Sequence, residues 1–130
     1  MADNTQDLAS TFAVLAPDQR ATLVEVKPTI YEELDRRFNQ FKGHWLVACH
    51  AFEKDWPSWE RHPAGDEIVC LLSGEAMMVF DRDGRHERLR VTKAGSYIVV
   101  PKGVWHTAKI AVPTRMLFIT PGAGTENRDL

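Results

Sequence analysis

Trp59–Gly74 reads W-E-R-H-P-A-G-D-E-I-V-C-L-L-S-G. Three side chains able to bind a divalent metal, Glu60, His62 and Glu67, fall within eight residues of this stretch. Glu60 and His62 are two apart, so an extended strand points both to one face. Pro63, Ala64, Gly65 and Asp66 are turn formers and return the chain. Glu67 then opens the apolar run Ile68 to Leu72, which stops at Ser73-Gly74. Read this way, Glu67 faces the same space as His62 from a neighbouring strand. A fourth candidate, His106, lies in Pro101-Lys102-Gly103-Val104-Trp105-His106. Imidazole nitrogen mixed with carboxylate oxygen suits Zn, Mn, Fe or Ni.

In order and spacing these residues resemble the cupin family. Its first motif runs Gly, five residues, His-x-His, three or four residues, Glu, six residues, Gly, and His62, Glu67 and Gly74 match the second half. Its second motif runs Pro-x-Gly, two residues, His, three residues, Asn, and Pro101, Gly103 and His106 match. Glu60 stands at the first motif histidine, Lys54 at the leading glycine and Ile110 at the final asparagine. The resemblance covers residues 44–120. It implies an all-β double-stranded β-helix (jelly-roll) barrel with a mononuclear metal site, and a homodimer built through the N-terminal strands and outer sheet.

Composition sets the other bounds. A chain of 130 residues makes one domain with a real core. Its 16 basic and 18 acidic residues leave a net charge of -2, so no basic surplus points to nucleic acid or a membrane surface. The polar, acidic start at residues 1–7 lacks signal-peptide character, and no apolar run approaches the ~20 residues that span a bilayer. Cys49 and Cys70 sit in apolar, strand-like runs, which reads as a cytoplasmic protein with two reduced core thiols.

Along the chain, residues 1–10 and the Gly-rich, polar residues 121–130 read as flexible ends of a single domain. Thr11 to Leu15 is apolar enough to pack, and Thr22 to Lys27 reads as the first strand. From Pro28 to Gln40 the period changes: Ile30, Leu34, Phe38 and Phe41 recur at helical spacing, with charged residues between them. Pro28, Glu32 and Glu33 suit a helix start and Gly43 its stop, so one N-terminal amphipathic helix is expected. Its role is to cover a sheet or a subunit contact. Short strands and turns fill the rest, with Asp81-Arg82-Asp83-Gly84 as a tight hairpin.

Alternation gives the inner face. Val69 and Leu71 share the parity of Glu67; Ala108 and Ile110 share that of His106; Glu60 shares that of His62. Four polar ligand candidates thus sit over an apolar interior. Two inward carboxylates repel unless a cation lies between them or one is protonated, which favours a metal; a glutamate paired with a histidinium is the alternative. His50 shares a face with Leu46 and Ala48 and reads as a structural histidine or one at the cavity mouth. Trp105 has the opposite parity to His106 and reads as packing. Arg61 and Lys102 read as solvated, or as rim groups for an anion. No serine or cysteine sits in a recognisable nucleophile arrangement. The sequence therefore supports a metal-dependent enzyme on a small molecule, of dioxygenase, isomerase or lyase type, against a non-catalytic small-ligand-binding cupin or a structural one without metal.

Overall fold

The structure is a computed structural model, and it describes residues 5–130. The first two strands, β1 (Thr11–Leu15) and β2 (Ala21–Glu25), form an antiparallel hairpin. The short helix α1 (Ile30–Arg37) follows, and then β3 (Trp45–Phe52), β4 (Ser58–Arg61), β5 (Glu67–Ser73) and β6 (Ala76–Arg82). The chain continues through β7 (Arg85–Val91), β8 (Tyr97–Val100), β9 (Trp105–Lys109), β10 (Thr114–Thr120) and β11 (Glu126–Asp129). These strands make two antiparallel sheets, one in the order β2-β1-β3-β10-β5-β8 and the other β11-β4-β9-β6-β7.

The apolar core lies between the sheets. Val69, Leu71, Met78, Phe80, Ala108, Met116 and Phe118 are buried there. They occupy alternate positions of their strands, and those on β5 and β9, Val69, Leu71 and Ala108, are the ones that the parity of Glu67 and His106 predicts. A second cluster, Phe12, Val14, Val24, Ile30, Leu34, Phe41, Leu46 and Ala48, is closed by α1 and the β1–β2 hairpin. Ile30 and Leu34 are therefore covered within the chain and are not free for the subunit contact the sequence reading gives them.

Four expectations change. The helix ends at Arg37 rather than Gln40, because Asn39, Gln40 and Phe41 take φ values of 53°, 56° and 62°. That left-handed turn is costly for non-glycine residues, and it carries the Phe41 ring into the second cluster. The first strand is Thr11–Leu15, ahead of the one expected at residues 22–27. β4 and β5 are not neighbours in one sheet; the turn at residues 63–66 carries the chain from one sheet to the other. The tail is not featureless: Glu126–Asp129 pairs with β4 along its whole length.

Turn chemistry fixes two crossings. Asp83 and Gly84 have φ of 56° and 88°, and Arg82 pairs with Arg85, so β6 and β7 join through a two-residue turn of the primed type. Gly74 has φ of 81°, and a Cβ there would lie 2.4 Å from the Pro113 carbonyl oxygen. Only glycine lets β5 hand over to β6 in this space.

Candidate metal centre

The two motifs meet where β4, β5 and β9 converge. Glu60 of β4 pairs directly with His106 of β9. His62 follows β4 by one residue, and its carbonyl accepts the amide of Gly103 at 3.0 Å, which ties the second motif to the first. Glu67 begins β5 in the opposite sheet. The ligand atoms of Glu60, His62, Glu67 and His106 all lie within 4.8 Å of one another. His62 Nε2 is 2.9 Å from Glu60 Oε1 and 3.2 Å from Glu67 Oε2, and His106 Nε2 is 3.3 Å from Glu67 Oε1. All four predicted site residues are thus brought together.

These atoms are close, yet with both imidazoles neutral and their hydrogens on Nδ1, His62 Nε2, His106 Nε2 and Glu67 Oε1 are buried with no hydrogen-bond partner. Orphaned buried polar atoms are costly and call for an explanation. A single ion supplies one. Two imidazole nitrogens and two carboxylates gathered within 4.8 Å of one another would hold a divalent ion, which would give each of these atoms a partner.

The surrounding groups orient the ligands. His106 Nδ1 faces the Val104 carbonyl at 3.1 Å, so that nitrogen carries the hydrogen. His62 Nδ1 lies 2.9 Å from Thr125 Oγ1, whose own hydrogen goes to the Gly122 carbonyl at 2.8 Å. Nδ1 of His62 is then the donor as well. Both neutral imidazoles consequently present Nε2 lone pairs to the centre, as metal ligands require. Thr120 Oγ1 donates to Glu67 Oε2 at 2.6 Å and fixes the carboxylate plane.

Burial opposes charge here, but the pairings win. Burial pulls the His62 imidazole down, yet Glu60 and Glu67 outweigh it and hold its pKa at about 9. Burial likewise pushes Glu67 up, while His106 and His62 bring its pKa to about 2. Without an ion, the cluster is an imidazolium between two carboxylates.

A cavity of about 640 Å³ opens from Glu60, His62 and Glu67. Its walls include Leu34, Leu46, Phe52, Trp56 and Phe118, and His50 and Tyr31 close another part of it. Tyr31 Oη lies 3.0 Å from His50 Nε2. His50 therefore faces the cavity, as its shared parity with Leu46 and Ala48 allows. Arg61 does not reach this space: it pairs with Glu126 at 2.9 Å and stacks on Trp105, which also carries Arg128. The residues missed from the sequence are Thr120, Thr125, Tyr31 and Trp56. Thr120 has a usable signal, since it alternates with the buried Met116 and Phe118 on β10. Thr125 has none.

Compared with known proteins, the sequence matches the cupin domain family over residues 52–120, more than half the chain. The chain is a cupin. Among curated proteins none matches its sequence significantly. Among solved structures, a cupin-2 domain containing protein from Shewanella frigidimarina is 25% identical with a TM-score of 0.51, over 59% of this chain and 70% of that one. Bacillus subtilis oxalate decarboxylase, whose structure is described for its Mn(II) centres, is 22% identical with a TM-score of 0.55. That match covers 66% of this cupin but only 24% of the decarboxylase. An oxalate oxidase is 18% identical with a TM-score of 0.53, over 62% of this cupin and 44% of the oxidase. Tyr31, Thr125 and β11 lie outside the residues that the family match covers.

Proposed function

We propose that this cupin holds one divalent ion, Fe, Mn, Ni or Zn, at Glu60, His62, Glu67 and His106, and uses it to bind and transform a small molecule entering the cavity. The observation that carries this is the convergence of three buried, hydrogen-bond-orphaned ligand atoms with the Glu60 carboxylate. Two carboxylates and two neutral imidazoles make a formally neutral set with a divalent ion, harder than an all-histidine set, which favours Mn or Fe over Cu. When bound, the ion supplies Lewis acidity to a coordinated oxygen, the chemistry that dioxygenases, isomerases and lyases of this kind need. The chain's own residues hold the ligands in one tautomer, fix the Glu67 carboxylate through Thr120 and line the approach with apolar rings. At 22% and 18% identity the oxalate enzymes share the fold, and their substrate is not carried to this chain.

The second reading is a non-catalytic ligand-binding cupin in which the His62 imidazolium stays between Glu60 and Glu67. The elevated pKa of His62 favours it in the absence of an ion. Elemental analysis of protein prepared without chelators separates the two. The metal reading expects one ion per chain, lost in Glu67→Gln and in His106→Ala; a parent protein that takes up no Fe, Mn, Ni or Zn on reconstitution sinks it. We further infer a homodimer. Cys49 and Cys70 are both free, which fits a reducing compartment such as the cytoplasm. Among the described residues no helix is long and apolar enough to cross a membrane.

A further inference from the structure

The cavity's chemistry narrows the class of molecule it takes. Among the described residues its lining includes no lysine or arginine, and it contains the carboxylates of Asp35, Glu60 and Glu67. A divalent ion offsets two of those three charges, so a small dianion entering this space meets no cation besides the ion itself. The walls are apolar and aromatic. Trp56 lies 6.0 Å from Phe118 and 5.5 Å from Phe52, ring centre to ring centre, and Phe118 lies 5.6 Å from His50. Trp56 is in turn 6.1 Å from His106, so one line of rings runs from the ligand cluster to His50.

Polar groups mark both ends of that line. Glu67 lies level with Thr120 on β10, and Thr120 pairs with Leu46 on β3. His50 is four residues further along β3, ~13 Å at the rise of a strand. Burial lowers the His50 imidazole against the pull of Glu60 and Glu67, which keeps it neutral. Burial, then those same carboxylates, raises the Tyr31 phenol to about 12. One hydrogen bond joins Tyr31 Oη and His50 Nε2, its direction set by the His50 tautomer, and in either direction the Tyr31 oxygen keeps capacity to bond a further polar group. Trp56 Nε1 is buried and finds no acceptor in the protein.

We propose that the cavity binds an uncharged, flat aromatic molecule of about two rings, with one oxygen at the Glu60–His62–Glu67 end and a second polar group at the Tyr31–His50 pair. The volume suits such a ligand, since pockets of ~300–1,000 Å³ take drug-sized molecules. The ring faces lie against Phe52, Trp56 and Phe118. The oxygen at the ligand cluster rests on the metal reading; the contacts with Tyr31 and Trp56 do not.

The test is calorimetric titration at neutral pH of chelator-treated and Mn(II)-reconstituted protein, with naphthalene-2,6-diol, 2-naphthol and malonate as probes. The diol is expected to bind both forms, more tightly with Mn(II), and more tightly than 2-naphthol. Tyr31→Phe should erase the preference for the diol, a loss of about 3–10-fold, while leaving Mn(II) uptake and the melting temperature as in the parent. Trp56→Leu should weaken both aromatic probes. Malonate binding more tightly than the diol to the Mn(II) form, or a diol preference unchanged in Tyr31→Phe, overturns the proposal. Protein that takes up no Mn(II) but still binds the diol in a Tyr31-dependent way keeps it and removes the metal reading. Mn(II) uptake with no binding of either aromatic probe does the reverse.

Discussion

At the scale of single residues, the centre depends on groups that touch no ligand. Thr125 receives the Nδ1 hydrogen of His62 and so sets which nitrogen faces the ion. Thr125→Val keeps the shape but removes that acceptor. Loss of such outer contacts weakens metal affinity by ~10–100-fold, and a competition titration against a chelator should read that range while the fold stays intact by circular dichroism. Protonation gives a second residue-scale expectation. In chelated protein, His62 is raised from 6.5 to about 9, so its contribution to stability is full below 6.5 and is lost as pH rises through about 9. Glu67 is lowered from 4.5 to about 2, so its contribution is full above 4.5 and is lost as pH falls through about 2. The pair therefore stabilises the metal-free fold most between pH 4.5 and 6.5. Metal runs the other way: His62 must release its proton to ligate, so affinity climbs from pH 6.5 towards 9. Urea denaturation and Mn(II) titration across that range should move in opposite directions. Parallel pH profiles would mean that His62 does not exchange its proton for the ion.

Elements place these residues, and they show what a sequence can disclose. Glu60, His62, Glu67 and His106 are legible because alternation along a strand and turn residues between strands are local, and each can be read within a few positions. The inner faces of β5 and β9 follow from the same rule. The partners of those ligands are not local: Thr125 reaches His62 across a separation of 63 residues, and Tyr31 reaches His50 across 19. Glu126–Asp129 carries four exposed polar residues with no strand pattern, and only its pairing with β4 and the Arg61–Glu126 and Arg128–Asp81 ion pairs make it a strand. The helix end failed for a related reason. Burial of Phe41 in a distant cluster overrides the helical spacing that residues 38–41 display. Gly74 is a case where motif and packing agree. Alanine there needs a φ of 81° and a Cβ 2.4 Å from a backbone oxygen. The left-handed backbone costs ~1–2 kcal/mol, and the clash adds ~1–3 kcal/mol of overpacking. Gly74→Ala should therefore lower the thermal midpoint clearly, and a midpoint within a degree of the parent would refute the steric account.

For the whole molecule, the question is what covers the outer face of the six-stranded sheet. One apolar row crosses all six strands in register: Leu23, Ala13, Val47, Ile119, Ile68 and Val99. A parallel row continues through Leu117, Cys70 and Tyr97, and Trp45, opposite Leu15, flanks the first row on its other side. Leu23 is 53% exposed, Val99 46%, Tyr97 62% and Trp45 38%. Contiguous apolar surface of this extent is uncommon on a monomer and marks an interaction face. A second copy suits it, because a two-fold axis sets the same patch against itself and needs no other complementary surface. The opposite sheet offers no such face: β7 shows Arg85, His86, Glu87, Arg88 and Arg90 to solvent, and β11 is polar throughout. The dimer expected from the sequence, through the N-terminal strands and the outer sheet, is therefore proposed on the outer sheet alone, because the Ile30–Leu34 stripe is buried within the chain. Light scattering at micromolar concentration should give twice the mass of one 14.8 kDa chain. Val99→Asp, on the exposed side of β8, should shift the protein to monomer without reaching the metal centre on the inner face. A parent that scatters as a monomer would refute the dimer. A variant that stays dimeric would refute the face assigned to it.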